Sequence, residues 1–199
     1  IKGQDLRGKG GTSIEDGEGT GKRTSEGFDF DGRTTGARTS TGNRAKGDVD
    51  LLLGNDGFMS GDADWIKTNK GAEARGAKNA EVQSNGWYNF GSVNSLVDGP
   101  FKVLNGEDVK RDETGLSVGS GDNVQQKGVM TERVNDYSGD DNSFNVGSAD
   151  SVFFQNSRFD NIENSSFRED NGKLIEANVT SSKDNNTVKA GDVEISLNK

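Results

Sequence analysis

Three segments of this chain align without gaps at a constant spacing, and that internal repeat restricts the possible folds more than any other feature. They read Tyr88-Asn89-Phe90-Gly91-Ser92-Val93-Asn94-Ser95-Leu96, Leu116-Ser117-Val118-Gly119-Ser120-Gly121-Asp122-Asn123-Val124 and Phe144-Asn145-Val146-Gly147-Ser148-Ala149-Asp150-Ser151-Val152, each starting 28 residues after the last. The shared pattern is apolar, Asn/Ser, apolar, Gly-Ser, any residue, Asn/Asp, Ser/Asn, apolar. A fourth copy is due at Leu174, and Leu174-Ile175-Glu176-Ala177-Asn178-Val179 fits it loosely, as a terminal capping unit does. A repeat of this length indicates a stacked architecture in which each unit buries its apolar groups against its neighbours.

The pattern inside the repeat is that of β-structure. In Tyr88-Asn89-Phe90 the alternation places both aromatics on one face and Asn89 on the other. Gly91, Gly119 and Gly147 are expected to supply the backbone freedom of a corner. Leu96, Val124 and Val152 then return to the inner face. The expected core and assembly columns therefore hold Tyr88, Phe90, Leu96, Leu116, Val118, Val124, Phe144, Val146 and Val152. Asn89, Ser117 and Asn145 form a polar ladder outside, and Phe90, Val118 and Val146 form one inner ladder of stacked coils.

Composition points the same way. Apolar residues other than Gly make up 28% of the chain and 29 of its 199 residues are Gly, so much of what counts as apolar in an average composition has no side chain to bury here, leaving too little for one large core. The expected fold is all-β: a β-solenoid or stacked β-repeat of 28-residue period, with a β-sandwich of repeated hairpins as the alternative. Turn signals favour hairpins at Asn105-Gly106 and Asn171-Gly172. Helical periodicity is limited to the short Ala-containing run Glu73 to Val82, which Gly76 interrupts.

Charge divides the chain unevenly. Residues 1–46 carry nine Lys/Arg and seven Asp/Glu, whereas the whole chain has a formal net charge of −9. Two regions follow: residues 1–46, rich in Gly, Thr and Arg and ordered by assembly or stacking, and a β-repeat domain over residues 47–199. The basic head and acidic body favour head-to-tail association. The acidic balance argues against nucleic acid as a partner, and no apolar run reaches the roughly 18 residues of a membrane span. A sequence beginning at Ile1 rather than Met reads as a processed N-terminus, hence export to the cell surface or beyond.

The chain has no His and no Cys, which removes the His-based triads, bases and metal sites and all thiol chemistry. The reading is of a non-enzyme without a cofactor. Calcium is the one metal considered, through the acidic turns at Asp29 and Asp31, Asp62 and Asp64, and Asp140 and Asp141, whose oxygens suit a hard cation; none completes an EF-hand loop.

The stretch Val118-Gly119-Ser120-Gly121-Asp122-Asn123-Val124-Gln125-Gln126 resembles the repeats of bacterial functional amyloids, the curlins and Fap-type fibre subunits, with Gly119, Asn123 and Gln126 at the positions those repeats give to Gly, Asn and Gln. The chain differs from them in its longer period, scarce Gln and high charge. The resemblance implies an exported subunit that stacks as cross-β in a fibre or biofilm matrix, its partner being further copies of itself. The alternative is a monomeric β-helical adhesin or carbohydrate-binding module, in which Trp65, Trp87 or Tyr88 lines a groove for surface glycans.

Overall fold

Left-handed residues at regular positions inside the strands shape this molecule. The computed structural model describes residues 2, 4–181, 189–190 and 194–198. It is all-β, with no α-helix among the described residues and one 3-10 turn at Lys9–Gly11. The chain forms two compact units, Ile1–Asp98 and Gly99–Lys199.

Unit 1 is an antiparallel meander of β1 (Gln4–Arg7), β2 (Ser13–Arg23), β3 (Gly27–Arg38), β4 (Arg44–Gly54), β5 (Met59–Lys67), β6 (Glu73–Val82) and β7 (Tyr88–Asp98), each paired with the next. Unit 2 continues with β8 (Phe101–Asp112), β9 (Gly115–Gln126), β10 (Val129–Gly139), β11 (Ser143–Phe153), β12 (Ser157–Asp170) and β13 (Lys173–Ser181), again antiparallel neighbours. β14 (Lys189–Ala190) pairs with β12, and β15 (Glu194–Asn198) lies parallel to β13. Residue 46, the expected boundary, lies inside β4, and β1, β2 and β3 pair in order with one another and with β4.

Each 28-residue period covers two strands: the three clear copies of the motif lie on β7, β9 and β11, and β8, β10 and β12 follow them in the chain. The four turns that join β3 to β7 share one design. Gly42, Gly57, Gly71 and Gly86 have φ between 87° and 96°, and the turns close by the same pair of backbone bonds, such as Thr39 to Asn43 and Thr68 to Ala72 (2.9 Å each). This is the three-residue hairpin loop in which a left-handed glycine follows a type I turn. Asn171-Gly172 makes the expected two-residue turn between β12 and β13, with φ of 48° and 83°. Asn105-Gly106 does not turn the chain; it lies within β8.

What Asn105 does instead explains the cross-section. β8 has left-handed residues at Asn105 and Asp108, β10 at Arg133 and Asp136, and β12 at Asn161 and Asn164, with φ between 42° and 52°. Each breaks the alternation of faces, so buried positions recur at spacings of two, three, three and two, as in Val129, Thr131, Val134, Tyr137 and Gly139 of β10. Asn and Asp tolerate this conformation better than other side chains. β6 follows the same scheme through Gly76 and Asn79, which is why the Ala-containing run from Glu73 to Val82 is a strand and not a helix.

Each such bend turns the strand, and the strand ends meet. In β12 the rings of Phe159 and Phe167, eight residues apart, have centroids 5.3 Å apart; eight residues of straight strand span about 26 Å. In β8 the Arg111 guanidinium lies 5.0 Å from the Phe101 ring. In β7 the hydroxyl of Tyr88 donates to Asp98 at 2.8 Å. The enclosed face holds the core: Phe30, Leu51, Leu53, Met59, Ile66 and Phe90 in unit 1, and Phe101, Tyr137, Phe144 and Phe159 in unit 2, each nearly inaccessible to solvent.

Candidate functional site

All nine residues expected to line the inner columns are buried, at 3% exposure or less. Their neighbours differ from the expectation. Val118 and Val146 share a row, but Tyr137 of β10 stands between them, and Val109 and Ser165 extend that row to β8 and β12. Thr131 likewise separates Val124 from Val152, and Gly139 separates Leu116 from Phe144. Successive repeat copies are therefore two strands apart, roughly 10 Å, and the inner ladder alternates between two kinds of strand. Tyr88, Phe90 and Leu96 face Val82, Ala80 and Ala74 of β6.

Gly91, Gly119 and Gly147 are not in the left-handed region. Their need for glycine comes from close approach. A Cβ on Gly147 would lie 2.8 Å from the Cβ of Asp136, one on Gly119 3.0 Å from that of Asp108, and one on Gly91 2.9 Å from that of Asn79. The corner is made by the left-handed residue on the neighbouring strand, and the glycine makes room for it.

Where the strand ends meet, side-chain amides bind the turns together. Asn43, fully buried, donates from Nδ2 to the carbonyls of Gly57 (3.2 Å) and Gln83 (3.0 Å) and accepts from the Asn69 backbone at Oδ1 (2.8 Å). Asn69 donates in turn to Thr41 and Ser84. In unit 2 the Lys127 ammonium reaches Asn142 (3.0 Å), and Gln126 donates to the Asp140 carbonyl (2.6 Å) while accepting the Tyr137 hydroxyl proton. Burial, followed by the carboxylates of Glu169 and Asp140, pushes the Tyr137 phenol far up, so it is a fixed donor here.

The six carboxylates considered for calcium are dispersed. Asp140 caps its own turn, accepting from the backbone of Asn142 (3.0 Å) and Ser143 (2.8 Å). These bonds hold its carboxyl below the usual range, against the opposing effect of burial. Asp64 accepts the Asp48 N–H (2.9 Å), and Asp62 the Asn79 N–H (2.8 Å) beside Lys78. Asp29 and Asp31 point outward from β3, and Asp141 is exposed in its turn. Among the described residues no group of three or more His, Cys, Asp or Glu side chains is placed to hold a metal, and no helix is long and apolar enough to cross a membrane.

Two surface features of unit 1 stand out. The first lies beside β1, which pairs with β2 at Ser13, Ile14 and Gly17 among the described residues. Next to it, a cavity of about 120 Å³ is lined by Thr12, Phe28 and Leu53. The Thr12 hydroxyl is buried there without a hydrogen-bond partner. The second is a groove of about 310 Å³ containing Arg38, Arg44, Lys46 and Trp65. Of the three aromatics expected to meet glycans, Trp65 lies in this groove, Trp87 sits half-exposed beneath the Lys70 ammonium (3.4 Å), and Tyr88 is in the core. Neither feature is legible from the repeat, because both lie outside its three clear copies.

No known protein family matches the chain, and no curated protein or solved structure does.

Proposed function

We propose that this protein is an extracellular structural subunit that assembles with copies of itself into a fibre, matrix or surface appendage, its strands acting as the coils of an antiparallel β-solenoid. A strand bent until its ends meet encloses apolar side chains without a second sheet, so layers can be added along the hydrogen-bonding direction as far as there are strands to add. The end of such a stack is an open strand edge above an unfinished core, a ready template for pairing with another chain.

The observation that carries this reading is the combination of bending and pairing: β2 through β7, and β8 through β12, pair in chain order while the bent face of each strand carries the core, so a strand of another copy can be added by the same backbone pairing. The test is electron microscopy with sedimentation velocity over a wide concentration range. Assembly predicts concentration-dependent growth of rods or fibrils with strands perpendicular to the long axis. A protein that stays a monodisperse monomer throughout contradicts the proposal.

A further inference from the structure

Cations are lined up on the outer face of unit 1 where a net-acidic chain has no structural use for them. Arg38 of β3 is the direct cross-strand partner of Arg44 of β4, and Arg44 that of Lys67 of β5. In the adjacent outward row, Lys46 and Arg75 flank Trp65 on either side. Lys67 is neutralised by Glu73 at 2.7 Å. Among the described residues Arg38, Arg44 and Lys46 make no ion pair. Like charges placed opposite each other on neighbouring strands destabilise a sheet, so nothing within the fold explains the arrangement.

The groove adds shape to the charge. Arg38, Arg44, Lys46 and Trp65 share it with Thr35 and Glu15. Glu73 accepts a hydrogen bond from Lys67 (2.7 Å), and Trp65 is the cross-strand partner of both Lys46 and Arg75. The Lys46 ammonium, on an exposed side chain, lies 4.8 Å from the centroid of the half-buried Trp65 ring.

We infer that this groove binds an acidic oligosaccharide, a chain of uronic-acid rings, with one ring stacked on Trp65 and carboxylates held by Arg38 and Arg44. The guanidinium fork matches a carboxylate in two parallel hydrogen bonds. An indole face takes the apolar C–H face of a sugar. Strands repeat at about 4.8 Å, close to the length of one sugar ring, so cations on successive strands meet successive carboxylates. Glu15 at the groove wall accepts from sugar hydroxyls. A phosphate polymer fits poorly, since Glu15 and Glu73 sit within the patch and the chain as a whole is acidic, and phosphate binding rests on broad cationic surfaces.

The experiment uses the full chain with Trp87→Phe, so that fluorescence reports Trp65 alone, titrated with hexagalacturonate, with cellohexaose and with a single-stranded oligonucleotide of equal charge. Hexagalacturonate is expected to give a saturable spectral shift that weakens as salt rises, and cellohexaose none. Arg38→Gln and Arg44→Gln, both at exposed positions, should each weaken binding by about tenfold or more with an unchanged circular dichroism spectrum. Absence of a saturable shift, equal affinity for cellohexaose, preference for the oligonucleotide, or arginine variants that bind like the parent would each overturn the assignment. The readout does not depend on whether the protein polymerises.

Discussion

Replacing Gly147 by Ala separates two physical reasons for a glycine. Gly147 is not left-handed, so alanine adds no backbone strain there, and stiffening the unfolded chain alone would stabilise by about 0.4–1 kcal/mol. Against this, the new Cβ would sit 2.8 Å from the Cβ of Asp136 and 3.3 Å from the carbonyl of Asn135, where carbon atoms prefer about 3.5–4.0 Å. Overpacking of this kind costs about 1–3 kcal/mol, so the contact outweighs the gain and Gly147→Ala should destabilise by about 1–2 kcal/mol. Asp136 has φ of 52°, a conformation glycine adopts without penalty, and Asp136→Gly also removes the obstructing Cβ. The double variant should therefore recover most of the loss, a favourable coupling of about 1–2 kcal/mol in a double-mutant cycle. Urea denaturation followed by circular dichroism gives the four stabilities. Additive effects would refute close approach as the cause and return the glycine to the role of a backbone hinge.

Two further predictions concern the turns. Asn43→Ala removes two donors and one acceptor from a buried site and should cost about 2–5 kcal/mol in the same denaturation assay; Asn43→Asp, which keeps the acceptor but not the donors, should not restore it. Asp140 ionises more readily in the folded protein than in the unfolded chain because of its backbone hydrogen bonds. Its contribution is therefore present above the unfolded carboxyl value of about 3.9 and lost as pH falls through the lower folded value. The stability gap between the parent and Asp140→Asn should narrow below about pH 4, and a gap independent of pH there would contradict this.

The apolar columns were legible in the sequence because burial selects residue type directly: Phe90, Val118 and Val146 reach the core wherever the strands run. The strand count per repeat was not. A 28-residue period fits one long coil or two shorter strands, and the turns that decide between them, such as Lys127-Gly128, carry little more than one glycine. The bends were hidden for a related reason. Asn105-Gly106 and Asn171-Gly172 have the same local chemistry and the same left-handed asparagine, yet one bends a strand and the other ends it, and only pairing with β9 distinguishes them. The acidic turns illustrate a third limit. Asp140 and Asp64 serve backbone N–H groups, a use that composition cannot separate from metal binding. The groove at Trp65 comes from register alone, since residues 38, 44, 46 and 65 are brought together by pairing across three strands.

The central claim is that each strand bends until its two ends meet. The chain contains no cysteine, so a single pair of spin labels can be placed without background. Ser40 and Asn55 are exposed residues in the turns at opposite ends of β4, and the neighbouring residues Thr41 and Gly57 are hydrogen-bonded at 3.2 Å. Pulsed electron–electron resonance on Ser40→Cys/Asn55→Cys should give a narrow, short distance set mainly by the label linkers. A distribution centred at about 50 Å, the span of these residues along a straight strand, would contradict the account.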